Sequence, residues 1–125
     1  PPRPTFYRHP GDTRSTRIAP SLLTDPTGRF VAQLAAPSAE LVTTSDSYVL
    51  VDVATGSQAW TEGEGPDATV HQHGPLRLWD QVEDAALTWE KEGAPDITAF
   101  GMTATADDQH VWLTNPDGPR WALPA

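Results

Sequence analysis

Three histidines give this sequence its first candidate for chemistry. His71 and His73 alternate along one extended stretch, so both imidazoles project from the same strand face. Zinc takes a third protein ligand and often a fourth. His110 supplies one only if two separate hairpins meet, which no spacing in the chain requires. Hydrogen-bonded or surface histidines are the alternative. Two adjacent acid pairs come next. Glu83 and Asp84 lie in a helical stretch, where neighbours point about 100° apart and do not converge on one proton. Asp107 and Asp108 separate two strand-like runs and read as turn residues. A methyl or phosphoryl transferase needs a glycine-rich loop between a strand and a helix. The candidate, Gly63-Glu64-Gly65, sits among acids, runs into Pro66 and opens no helix, so it reads as a hairpin tip. Serines and threonines are plentiful, yet none occupies a Gly-x-Ser-x-Gly elbow. These residues propose no catalysis within the chain.

The elements that position them form an α+β pattern. Asp25 caps a short helix with Pro26 at its first position, and Pro37 ends it. Strands follow at Leu41 to Thr44 and Tyr48 to Val53, joined by a turn at Ser45-Asp46-Ser47; Val49, Val51 and Val53 share one face. Ala54-Thr55-Gly56 turns into Ser57 to Thr61, and Ala68 to His73 is a fourth strand. One long helix is expected from Pro75 to Glu92, with Gly93 in the left-handed position after its last turn. Leu78, Trp79, Val82, Ala85, Ala86 and Trp89 make its apolar stripe. A second hairpin, Ala99 to Thr105 and Gln109 to Leu113, precedes a short extended piece at Trp121 and Leu123. The expectation is an antiparallel sheet of hairpins packed on that long helix.

Composition narrows the function further. A chain of 125 residues holds one domain, and its lack of cysteine removes disulfides and thiolate metal sites. That usage suits a reducing cytoplasm, and no apolar run approaches a membrane span or a signal peptide. Charge is segregated. Residues 1–29 hold five arginines against Asp12 and Asp25, whereas residues 30–125 hold three basic side chains against fifteen acids. The acidic body repels phosphate backbones, so nucleic acid is not an expected partner. The proline- and arginine-rich residues 1–20 read as a linker or an extended arm from a preceding domain, with residues 21–125 as the folded unit. Short strands around Thr5-Phe6-Tyr7 and from Thr13 to Ile18 are candidates for pairing with a neighbouring domain.

Four of the five tryptophans fall between residues 79 and 121. Such rings build a compact core or a recognition surface. His110 and Trp112 alternate with Val111 and Leu113, so one pair faces inward and the other outward. Two arrangements are open: an exposed Trp112 near Arg77 and Arg120, suited to peptide capture by stacking and charge, or a Trp112 packed on the long helix.

The last fifty residues carry a run of motifs. They are Gly74-Pro75-Leu76-Arg77-Leu78-Trp79-Asp80, Phe100-Gly101-Met102-Thr103, Gln109-His110-Val111-Trp112-Leu113, and Pro116-Asp117-Gly118-Pro119-Arg120-Trp121-Ala122-Leu123. With them the chain, from about Ile18 onward, resembles the C-terminal domain of protein-L-isoaspartate O-methyltransferase-like enzymes from ribosomal peptide clusters, of the graspetide and lanthipeptide kinds. The resemblance implies a parent enzyme that uses S-adenosylmethionine to methylate an aspartate of a modified precursor peptide; the ester then collapses to an aspartimide and opens to isoaspartate. The cofactor and catalytic residues would belong to an N-terminal methyltransferase domain, and none transfers onto this chain. This domain would hold the peptide, with His73, Arg77, His110, Trp112 and Arg120 expected to border the peptide-facing surface. The competing expectations are a stand-alone acidic immunity- or inhibitor-like module and a metal-dependent enzyme centred on His71, His73 and His110.

Overall fold

The computed structural model describes residues 12–44, 47–63 and 68–123. The extended piece expected at residues 5–7, the turn residues 45 and 46, and the loop tip at 64–67 lie outside the described residues. Among the described residues there are eight strands and two α-helices. They are β1 (Asp12–Ser15), α1 (Pro26–Ala35), β2 (Glu40–Thr43), β3 (Tyr48–Asp52), β4 (Ser57–Glu62), β5 (Thr69–His73), α2 (Leu78–Lys91), β6 (Phe100–Ala104), β7 (Gln109–Leu113) and β8 (Arg120–Ala122). Single turns of 3-10 helix at Pro20–Thr24 and Ile97–Ala99 lead into α1 and β6.

The α+β class matches the expectation, but the strands form two antiparallel sheets in place of one. The first has the order β1-β5-β4-β3-β2 and the second β6-β7-β8. The two helices serve both. Ala32 of α1 and Ala36 just beyond its end, with Leu78, Trp79, Val82 and Ala86 of α2, pack with Leu50, Ala59 and Val70 of the larger sheet. Val31 of α1, with Ala85 and Trp89 of α2, packs with Leu113 of the smaller one. The apolar stripe of α2 is thus divided between two cores, as its width allows.

Local chemistry explains the helix boundaries. The carboxylate of Asp25 accepts the Gly28 N–H at 2.9 Å, and Pro26 needs no donor at the first turn. Gly28 is required there, because a Cβ would overlap the carbonyl of Leu22. The long helix begins at Leu78, three residues after the expected Pro75. Gly74 adopts φ +100° with its Cα against Ser57, and the Leu76 N–H donates to Ser57 Oγ at 2.9 Å. These contacts hold residues 74–76 on β4, so the helix starts only beyond them. Its first turn is capped from outside. Gln72 of β5 accepts the Trp79 N–H at 3.0 Å and donates to Asp80 at 2.8 Å. Gly93, at φ +94°, follows the helix as expected.

Residues 12–20, within the stretch expected as a linker or arm, belong to the folded body. Strand β1 pairs with β5, Thr16 donates to the Ile18 carbonyl, and Ile18 and Pro20 are buried. No helix among the described residues is long and apolar enough to cross a membrane.

Candidate functional site

The three-stranded sheet is built by turns that need no tertiary help. Thr105 closes the β6–β7 hairpin: its N–H donates to the Asp108 carbonyl, and its hydroxyl oxygen accepts the N–H groups of Asp107 and Asp108. The adjacent acids therefore serve a turn, as their position suggests. Between β7 and β8, the Asn115 side chain accepts the Asp117 N–H, and Gly118 N–H returns to the Asn115 carbonyl.

Strand alternation then sorts the side chains. Val111 and Leu113 are buried toward the helices, with Leu113 against Trp89 and Ala85. His110 and Trp112 take the opposite face. Trp112 sits between Gly101 and Arg120 in register, and His110 between Thr103 and Ala122. The indole lies over Gly101, where a Cβ would overlap its ring, and its Nε1 donates to Thr103 Oγ1 at 3.1 Å. Trp112 lies half-buried on the face away from the helices, beside Arg120 but not Arg77, so neither arrangement open from sequence is found in full. His110 is buried on this face, with Nδ1 on the Asp108 carboxylate at 2.9 Å. Arg120 is exposed.

His73 and Arg77 lie elsewhere. His73 ends β5 on the outer face of the larger sheet, edge-on to Trp60 at 5.7 Å between ring centroids. Arg77 precedes α2 and is held by Asp12 and Asp80. The five expected residues thus do not share one surface. His110, Trp112 and Arg120 are brought together; His73 and Arg77 do not join them.

Other features emerge only in three dimensions. Trp60 and His71 are cross-strand partners with rings stacked at 5.2 Å. Both ring nitrogens of His71 are engaged, by Thr13 and by Glu62. His110 is on the other sheet, so the three histidines do not converge. Among the described residues, no group of three His, Asp or Glu side chains is placed to hold a metal.

The densest electrostatic feature joins β1 to α2. Glu83, with its side chain fully buried, accepts from Arg14, from the Arg17 backbone N–H at 2.7 Å and from the Arg17 guanidinium. Arg14 also reaches Asp80, and Arg17 reaches Asp84 at 3.0 Å. Burial pushes the Asp80 carboxyl up, but hydrogen bonds from Gln72, Arg14 and Arg77 outweigh it and hold the group down at about 2. Burial likewise pushes Glu83 up, and Arg14 and Arg17 together hold it below its ordinary value. Glu83 and Asp84 are thus locked in ion pairs rather than shared as an acid–base couple. The sequence held the signal for this cluster: arginines at the start faced acids on α2 that had few basic partners one turn away.

Gly63 follows β4, and the next described element is β5, the antiparallel partner of β4; Glu64 and Gly65 of the glycine-rich stretch lie outside the described residues. No family model matches this chain, and no curated protein or solved structure does either.

Proposed function

We propose that this chain is a non-catalytic substrate-recognition domain of an S-adenosylmethionine-dependent aspartate O-methyltransferase that modifies a ribosomally made peptide. The motifs from Gly74 onward motivate this reading. The single observation that supports it is the outward line of Gly101, Trp112 and Arg120 on a sheet whose other face is packed on the helices. An aromatic ring set beside an exposed guanidinium offers stacking and charge to a bound peptide.

In this reading the parent enzyme's N-terminal domain supplies S-adenosylmethionine and the reacting groups, and the work takes place in the cytoplasm. No residue of this chain is assigned to the cofactor. Its contribution is selection and holding. Contacts away from the reacting atoms raise the local concentration of the correct aspartate without altering the chemistry. The second reading, an acidic inhibitor-like module, rests on the net charge of −9.

The test is kinetic. In the intact enzyme, Trp112→Ala and Arg120→Ala should raise KM for the precursor peptide about tenfold, the equivalent of one lost anchor contact, with kcat little changed. Unchanged precursor affinity and methylation rate in both variants would remove this face from the function. A parent polypeptide without a methyltransferase domain would favour the inhibitor reading.

A further inference from the structure

Strand β8 is an edge. It pairs with β7 and with no other strand among the described residues. Its hydrogen-bond phase can be read from its ends. The Leu113 N–H donates to the Pro119 carbonyl and the Leu123 N–H to the Gln109 carbonyl, both at 2.9 Å. Trp121, midway between them, turns its peptide groups toward β7, whereas Arg120 and Ala122 turn theirs away. That outer edge is short, three residues with one charged side chain at Arg120, but it carries neither proline nor lysine.

Beside this edge runs a groove of about 390 Å³ between the helices and the sheet. Ala35 of α1, Ala85 and Thr88 of α2, and the Trp121 ring supply its largely apolar lining. Gln81 and Asp84 supply polar groups, and among the described residues no cationic side chain lines it. Asp84 keeps 74 % of its side chain exposed although one oxygen takes Arg17. Such a volume lies at the small end of ligand pockets and suits one long side chain. An apolar channel next to a carboxylate matches an aliphatic stem with a cationic head.

We propose that β8 accepts an extended peptide as a fourth strand of the β6-β7-β8 sheet, and that the peptide sends one arginine or lysine into the groove beside Trp121 and Asp84. This mode rests on the recognition reading given above and specifies how the peptide lies. Main-chain bonds to Arg120 and Ala122 give affinity, and alternate side chains give selectivity. Because strand side chains alternate, the neighbours of the inserted cation would lie on the outer face, alongside Arg120 and Trp112. One added strand therefore engages both faces of the sheet.

The experiment titrates the isotopically labelled 125-residue chain with a blocked heptapeptide alternating threonine and valine around a central arginine, and with its central-glutamate counterpart. The expected result is shifted resonances at Thr88 and the Trp121 indole and slowed hydrogen exchange at the Arg120 and Ala122 amides. The glutamate peptide should bind at least about tenfold more weakly. Ala122→Pro removes an outward N–H without touching a β7 bond, and Thr88→Tyr fills the groove; each should weaken binding at least about tenfold while leaving the Trp112 indole resonance in place. Equal affinity in Ala122→Pro, shifts confined to the Trp112 or Trp60 faces, or no binding of the arginine peptide would each overturn the edge proposal. The recognition reading is judged separately, by the Trp112 and Arg120 variants of the intact enzyme.

Discussion

Arg14 meets Glu83 side-on: Nη1 donates to Oε2 at 3.0 Å and Nη2 to Oε1 at 2.6 Å. Paired N–H bonds of this kind are among the stronger polar contacts in proteins, and this pair fastens the first described strand to the middle of α2. The carboxylate is fully buried while the guanidinium is about a third exposed, so the two partners differ in what they lose when separated.

Removing the buried partner is therefore the informative change. Glu83→Gln should destabilise the fold by about 3 kcal/mol, the lower end for breaking a buried pair, because Arg14 and Arg17 can rehydrate. Urea unfolding with an unchanged m-value checks it. Arg17→Ala, at an exposed position, should leave the urea midpoint nearly unchanged.

Acid should weaken the same region. Asp80 titrates at about 2 when folded against an ordinary 3.8, and Glu83 is also depressed. The unfolded chain therefore binds more protons in this interval, so stability held at neutral pH is lost as pH falls from about 4 toward 2. Urea midpoints measured between pH 6 and pH 2.5 should show that fall, and Glu83→Gln should make it shallower.

Gln72 ties β5 to the first turn of α2 through both ends of one amide. Gln72→Leu keeps the volume but leaves the Trp79 N–H without its cap and takes one of three side-chain donors from Asp80. We expect a loss of about 2 kcal/mol and an upward move of the Asp80 titration followed by NMR.

Gly101 is the floor on which the Trp112 indole lies. Gly101→Ala should displace the ring from Thr103, shift the indole Nε1–H resonance and cost about 2 kcal/mol in overpacking. A variant with the native resonance and native stability would contradict the close approach.

These positions differ in how visible they were from sequence. Asp25, Pro26 and Pro37 announced α1, because capping and proline geometry act within a few residues. The six apolar positions of α2 were equally plain from their period. The start of α2 was misplaced, because the tether that delays it is Ser57, on another strand. Hairpin order was legible from alternation, but alternation says nothing of which hairpins pair, so the division into two sheets was hidden. The fit of Arg14 to Glu83 was hidden for the same reason: the charges were visible, the pairing was not. Of the expected recognition residues, the three within β7 and β8 came together because one sheet carries them. His73 and Arg77 had only the nearness of Gly74 and Pro75 in the chain to suggest membership.

The helices' double duty limits how this protein can change. Ala85 and Ala86 are consecutive on α2, yet one meets the smaller sheet and the other the larger. A bulkier side chain at either would press the helix toward the opposite layer, so the two interiors draw on a common allowance of space. Redesign on one side then has to be balanced by shrinkage on the other.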